Sequence, residues 1–368
     1  MLPYILLLFI PALVPLFVYR PTRHGVIYEA SFIVRKRSEM LILLFFLGFF
    51  ILLSLRDITV GRDLLTYKSI FESCQIMSFR DLSKMPWELG YTVYNKLITF
   101  ISDDYRFFLI ITALIILLPI YVLFSQEKEY GYLLVVLFIN MPCFLMIFSG
   151  LRQAISISLG ILAFMLIDKK KYILCGVLIL LAITFHTSAF VLVLLYPAFF
   201  MKIKTKHLLY IAPVILLIYI FRIPIITFFI SLAPSKYIEF YGEVQQTGAF
   251  GMMILFLIFL IFSFVVMDES DMSNKDYFMR NILLIATIMQ LFVPVNGLVQ
   301  RISYYFIIFV PVALLRVVRK PKPSMVQVSS VAIIVMSVFF TLYFFYTALF
   351  STDNLLDVFP YKFFWSSL

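Results

Sequence analysis

A chain of 368 residues that is 63% hydrophobic, 18% aromatic and only 14% charged, with a mean hydropathy of +1.04, is too apolar for a water-soluble fold and reads as a polytopic membrane protein. The net charge of +10 would suit a nucleic-acid surface, but the basic residues lie in loops and the 42 Phe and 22 Tyr are spread along every apolar run, so no base-stacking platform and no nucleic-acid partner is expected. Cys74, Cys143 and Cys175 have neither CxxC spacing nor a neighbouring His, which favours small apolar packing residues over a disulfide framework or a zinc site.

The apolar runs read as crossings at about 2–19, 41–55, 107–124, 131–148, 153–167, 172–185, 187–200, 208–231, 251–267, 279–297, 302–318 and 326–350. Together they make an all-α transmembrane bundle of about 12 crossings, a single multi-pass domain over residues 1–368. A full crossing takes ~20 residues for ~30 Å of hydrocarbon, so several runs are short and must tilt or thin the bilayer. The first run has no basic leader and no small-residue cleavage pattern, and the strongest basic cluster follows it; it is expected to stay as a crossing. The loops at 20–39, 125–130, 168–171, 201–207, 268–280 and 316–323 hold most of the Lys and Arg, and the positive-inside rule turns them toward the cytoplasm. Both termini then lie outside.

Segment 56–106 becomes one outward-facing connection of balanced charge, and long loops of this kind translocate despite their basic residues. Arg80, Asp81 and Lys84 read as solvated surface charge. Arg56, Asp57 and the run Gly61-Arg62-Asp63-x-x-x-Tyr67 lie at the membrane edge that begins at Leu55, with Asp63 and Tyr67 one helical turn apart. Pro86-Trp87-Glu88-Leu89-Gly90-Tyr91 opens an apolar segment, 89–101, too short to span and suited to a periplasmic or re-entrant helix.

Arg152 and Gln153 fall where two crossings meet on the outer side, beside the small residues Ser149, Gly150 and Ala154 that allow close helix approach. An isolated Arg there would snorkel as an anchor; a second outer Arg, Arg301, argues for more. Phe185-His186-Thr187-Ser188 divides the apolar stretch between two lysine-rich loops. Both flanks face the same side, so the chain must turn there, and halves of about fourteen residues reach only ~21 Å at 1.5 Å per residue. The turn is therefore expected below the outer surface, in a cavity. His24 and His207 read as structural. Arg301, with Tyr304 and Tyr305, precedes the crossing 302–318.

Arg62, Arg152 and Arg301, an outer-facing His and several carboxylates thus share one membrane face. The guanidinium fork suits phosphate oxygens, and a diphosphate at a membrane surface points to a polyprenyl-diphosphate lipid. No carboxylate cluster has the spacing of a metal site, so neither metal nor cofactor is expected.

The order Arg56…Gly61-Arg62-Asp63…Tyr67…Phe71, Glu88-Leu89-Gly90-Tyr91, Leu151-Arg152-Gln153-Ala154, Phe185-His186-Thr187-Ser188-Ala189 and Arg301…Tyr304 resembles the EpsG-like, Wzy-type polysaccharide polymerases across roughly residues 40–320. The chain has Glu-Leu-Gly-Tyr where that family often has Glu-Pro-Gly-Tyr, and Gly150 where an Asn is common before Leu-Arg-Gln. The resemblance implies a glycosyltransferase of the bacterial cytoplasmic membrane, with its active face periplasmic, that joins repeat units carried on undecaprenyl diphosphate. Donor and acceptor are both such lipid-linked oligosaccharides, and a chain-length regulator protein and membrane lipid are the further partners. It implies His186 as the group that orients or deprotonates the acceptor hydroxyl, with Asp63 and Glu88 as competing bases. Arg56, Arg62, Tyr67, Arg152, Gln153, Arg301 and Tyr304 would hold diphosphate or sugar.

Other classes stay open. An O-antigen ligase uses the same donor with a different acceptor. A lipid-linked oligosaccharide flippase would carry charge through the depth of several helices and internal repeats, whereas Arg222, beside Pro224, is the one clear deep charge. An acyltransferase would not need several arginines.

Overall fold

The computed structural model describes residues 2–18, 27–231, 249–350 and 355–367; Arg20, Arg23 and His24 of the first basic loop lie outside them. Among the described residues the fold is all-α, with two isolated bridges, Arg56 to Phe363 and Met267 to Pro321, and no strand. Two compact units are present: Met1–Leu192 with Ile334–Leu368, and Val193–Ile333.

The first unit contains α1 (Leu2–Val18), α2 (Ile27–Leu55), α3 (Leu64–Ile76), α4 (Leu89–Thr99), α5 (Tyr105–Ser125), α6 (Gly131–Ile139), α7 (Pro142–Ser149), α8 (Leu151–Asp168) and α9 (Tyr172–Phe185). Helix α2 packs on α1, α5 and α6, and α8 lies between α5 and α9. Their facing sides are joined by aromatic rings, with Phe49 4.9 Å from Phe144 and Phe124 5.2 Å from Phe138. Polar links cross the apolar contacts where a hydroxyl finds a carbonyl: Ser158 donates to Ile116 O at 2.7 Å and Ser156 to Ala182 O at 2.8 Å, since a hydroxyl unpaired in such surroundings would be costly.

The second unit holds α10 (Leu195–Phe200), α11 (Leu208–Ile220), α12 (Arg222–Ser231), α13 (Phe250–Val266), α14 (Asn274–Gln290), α15 (Gly297–Ile307), α16 (Val310–Arg319) and the start of α17 (Val326–Phe350). Helix α14 is its centre, packed by α10, α13, α15 and α16. Its polar first turn is capped by Ser273 and Asp276. Buried Asp276 then bonds Arg316 at 2.7 Å and Lys320 at 3.0 Å, so the loop cations predicted for this segment are partly spent on internal ion pairs.

Among the described residues, four helices are long and apolar enough to cross a membrane: Phe32–Leu55, Tyr105–Ser125, Leu151–Asp168 and Pro323–Phe350. Counting three bent pairs as single spans raises this to seven, and four shorter apolar helices remain. The expected run 131–148 shows why a hydropathy count and a helix count differ. It breaks at Pro142 into α6 and α7, bent by 62°, because proline lacks an N–H and restricts the residue before it. Asn140 takes up the carbonyls at the break, bonding Val136 O at 2.7 Å and Phe340 O at 3.0 Å. The run 302–318 is likewise broken, by 49° between α15 and α16.

Segment 56–106 is a folded layer of two short helices. Helix α3 packs on α4 and α4 on α9, and Tyr105 ties the layer down by donating to Leu64 O at 3.2 Å. The segment 355–367 lies over the exit of α2: Asp57 N donates to Lys362 O, Gly61 N to Asp357 O and Arg62 N to Leu356 O, at 2.8–2.9 Å. Gly61 has φ +117°, and a Cβ there would fall 2.4 Å from Phe148 O. Gly61→Ala is therefore expected to lower stability by ~1–3 kcal/mol, seen as a lower thermal midpoint of the purified protein. Gly251→Ala, where a Cβ meets nothing within 4 Å, should match or slightly exceed the wild type.

Candidate active site

The ends of α3, α4, α7, α8 and α9 meet at one place in the first unit. The turn after α2 reaches α7, where Asp63 N bonds Ser149 Oγ at 3.3 Å. Helix α3 then begins and turns Tyr67 inward, leaving it 3% exposed. Across the kink at Gly150, α8 begins with Leu151 and Arg152.

Glu88 is the residue before α4, in extended backbone. Gly90 decides how near α4 comes to α9: a Cβ on it would lie 2.2 Å from Thr184 Oγ1, so a larger residue would push the two helices apart. Helix α9 ends at Phe185, and His186 leaves it extended, with φ −157° and ψ 117°. The result is a compact polar cluster. Glu88 Oε2 accepts from Arg152 Nη1, and Glu88 Oε1 lies 3.2 Å from His186 Nδ1, close enough for an ion pair though without the alignment of a ring N–H hydrogen bond. Thr187 N and Oγ1 approach the same oxygen at 3.4 and 3.3 Å. The Arg152 guanidinium lies 4.5 Å from the Trp87 ring centre and 5.9 Å from that of Tyr67, a cation–π enclosure that keeps its plane fixed.

The electrostatics follow from this enclosure. Burial alone would push the Glu88 carboxyl up; the His186 contact and the Arg152 charge override it and hold the carboxyl at about 2. Glu88 is thus an ionised carboxylate at neutral pH, engaged on both oxygens. Burial raises the Tyr67 hydroxyl despite the pull of Arg152, leaving it a neutral donor. Arg152 Nε is buried with no hydrogen-bond partner among the described residues.

The sequence candidates divide in three. Glu88, Arg152 and His186 come together, with Tyr67 against Arg152. Asp63 and Gln153 are chain neighbours of this cluster, Asp63 partly buried and Gln153 only 6% exposed. Arg62 points outward and pairs with Asp357 at 3.2 Å. Arg56 is 1% exposed, packed 5.6 Å from the Phe148 ring, while its carbonyl accepts from Arg106 at 2.7 Å. Arg301 is exposed and Tyr304 buried on α15 of the second unit. His207 serves its own turn, accepting from Lys204 N at 3.0 Å, and Cys74, Cys143 and Cys175 are buried thiols outside any disulfide. Among the described residues no three His, Cys, Asp or Glu side chains gather as a metal site would require.

Three contributors were missed in the sequence. Trp87 and Thr187 adjoin candidates that were named, and an aromatic next to an acid at a helix start was the available signal for the first. The role of Gly90 depends on α9, ninety-odd residues away in the chain, and no local pattern reports it.

A model described as the EpsG family matches residues 39–363. No curated protein and no solved structure matches the chain.

The depressed Glu88 value carries a pH dependence of definite sign. A carboxylate at about 2 when folded, against 4.5 ordinarily, adds stability that is complete above pH 4.5 and is lost as pH falls toward 2. The difference in thermal midpoint between wild type and Glu88→Gln should therefore be constant above about pH 5 and shrink below it. Thermal unfolding in detergent between pH 7 and 3 measures this, and a difference that does not shrink means that Glu88 is not held ionised by its neighbours.

Proposed function

The chain belongs to the EpsG family, a membership that suggests a polysaccharide polymerase-like membrane enzyme, and from it and the Glu88 cluster we propose a glycosyl transfer between lipid-linked repeat units. In this reading both substrates are oligosaccharides on undecaprenyl diphosphate, met on the outer face of the bacterial cytoplasmic membrane. A hydroxyl of the acceptor's terminal sugar attacks the anomeric carbon of the donor chain. The new glycosidic C–O bond forms as the bond to the diphosphate breaks, and the lipid diphosphate leaves with the electron pair.

The observation that carries this reading is one carboxylate, Glu88, engaging Arg152 and His186 at once. Glu88 holds the Nδ1 edge of the imidazole, which leaves Nε2 to accept the hydroxyl proton, and its negative charge stabilises the imidazolium that forms. This is general-base catalysis with an orienting carboxylate. Arg152 keeps one arm on Glu88 and offers its buried Nε to a diphosphate oxygen. Its charge is preorganised by the Trp87 and Tyr67 rings, so little rearrangement is needed as negative charge develops on the leaving group. Asp63 is then a neighbour that shapes the entrance, and Glu88 acts through His186. Arg62, Arg301 and Tyr304 are proposed to serve the diphosphate or sugar on their chemistry alone. A chain-length regulator is the proposed protein partner.

His186→Ala should leave single repeat units on their carrier in cells, with the protein inserted at normal levels; wild-type chain lengths from that variant would remove His186 from the chemistry. Arg152→Lys keeps the charge and loses the planar fork, and is expected to cut polymerisation about 10²–10³-fold, read as loss of the polymer ladder on a gel. Lys84, whose exposed partner is Asp81, is the control: Lys84→Ala should make a normal ladder.

A further inference from the structure

At the far end of α2 from the Glu88 cluster, the first unit contains a second site. Helices α1, α2, α6 and the part of α17 within this unit line an open cavity of ≈460 Å³, within the ~300–1,000 Å³ of small-molecule sites. Its walls are aliphatic and aromatic, with Leu13, Leu16 and Phe345 among them, and Arg37, Ser38 and Tyr130 lie together at one end. The outer wall is open: Leu13 and Leu16 are each 48% exposed.

The polar end is built. Ser38 Oγ accepts from Gly131 N at 2.9 Å, and a Cβ on Gly131 would fall 2.5 Å from that oxygen, so α2 and α6 meet there as closely as glycine allows. Tyr130, just before α6, is held at φ 55° and ψ 34°, a left-handed conformation that a non-glycine residue adopts only when its surroundings require it. That conformation places an aromatic residue on the rim of an apolar groove, as tyrosines are placed at lipid headgroup level. The two segments forming the rim carry Arg35, Lys36, Arg37 and Lys128 against Glu39, Glu127 and Glu129. Of these seven charges only Arg37 lines the cavity.

Depth identifies the occupant. From Arg37 to Leu55, α2 is one unbroken helix rising ~27 Å, close to the ~30 Å of the hydrocarbon core. The turn that follows it leads directly to Ser149 and the Arg152 cluster. On the proposed function, a headgroup at Arg37 lies about one hydrocarbon thickness from the glycan chemistry and does not belong to a donor engaged there. Among the residues that line the cavity Arg37 is the one cation and none is a carboxylate. We propose that this cavity binds one anionic phospholipid, with an acyl chain in the groove, its phosphate on Arg37 and Tyr130 beside the headgroup.

The test is native mass spectrometry of the purified chain equilibrated with equal amounts of dioleoylphosphatidylglycerol and dioleoylphosphatidylcholine. One phosphatidylglycerol should be retained in preference. Arg37→Gln removes the charge and keeps the groove, and Leu13→Trp fills the groove and keeps the charge. Each should weaken retention about tenfold or more, the loss expected for a charge-assisted contact or an occluded site, while Lys84→Ala retains the lipid as wild type does. Ala12→Phe narrows the same groove and replaces Leu13→Trp if that variant does not fold. Equal retention of the two lipids overturns the proposal. So does full retention by the groove-filled variants, which would assign the preference to surface charge alone. Preferential displacement of phosphatidylglycerol by undecaprenyl phosphate would likewise overturn it, by making the cavity a carrier-lipid site.

Discussion

The Glu88 carboxylate, held between a guanidinium and an imidazole, is the constraint around which the first unit is arranged. Removing a carboxylate from water in an apolar scaffold costs several kcal/mol unless its charge and its lone pairs are met. Here both oxygens are met, by Arg152 on one side and by His186 and Thr187 on the other. Each partner comes from a different helix end, so the carboxylate can remain ionised only if α4 and α8 begin where α9 stops. The same interaction that makes the charge tolerable gathers the groups that could move a proton and receive a diphosphate.

The helix ends can meet because the sequence weakens the helices where they must stop. Gly150 interrupts the run from α7 to α8 and lets Arg152 stand in the first turn of a new helix. His186 ends α9 by turning extended, and Gly90 lets α4 approach that end. Gly61 allows the exit of α2 to fold against Phe148. In a bilayer such breaks are tolerated only where protein satisfies the freed backbone, and the hydrogen bonds from Asn140 show how this is done away from the Glu88 cluster.

The two ends of α2 illustrate a division of labour that hydrocarbon thickness imposes. One end leads through the positive-φ turn at Gly61 to the polar cluster. The other closes an apolar groove in whose lining Arg37 is the one cation. From Arg37 to Leu55 the helix is unbroken and rises ~27 Å, so the groove and the Glu88 cluster lie at opposite ends of one rigid element.

The amino-acid sequence by itself determined the class of the protein, the all-α architecture, and the residues Glu88, Arg152 and His186 as chemical candidates. Apolar run lengths and the cost of charge near lipid are local properties, readable without coordinates. The resemblance that singled out these motifs agrees with the family that matches residues 39–363. Tertiary structure alone decided that Glu88 joins Arg152 and His186 in one cluster and that Arg56 is buried against Phe148 while Arg62 pairs with Asp357. It also decided that apolar runs such as 131–148 are bent pairs. Those outcomes depend on which helix ends meet and on whether a Cβ fits between them. Such steric facts join residues far apart in the chain, and no periodicity along the sequence records them.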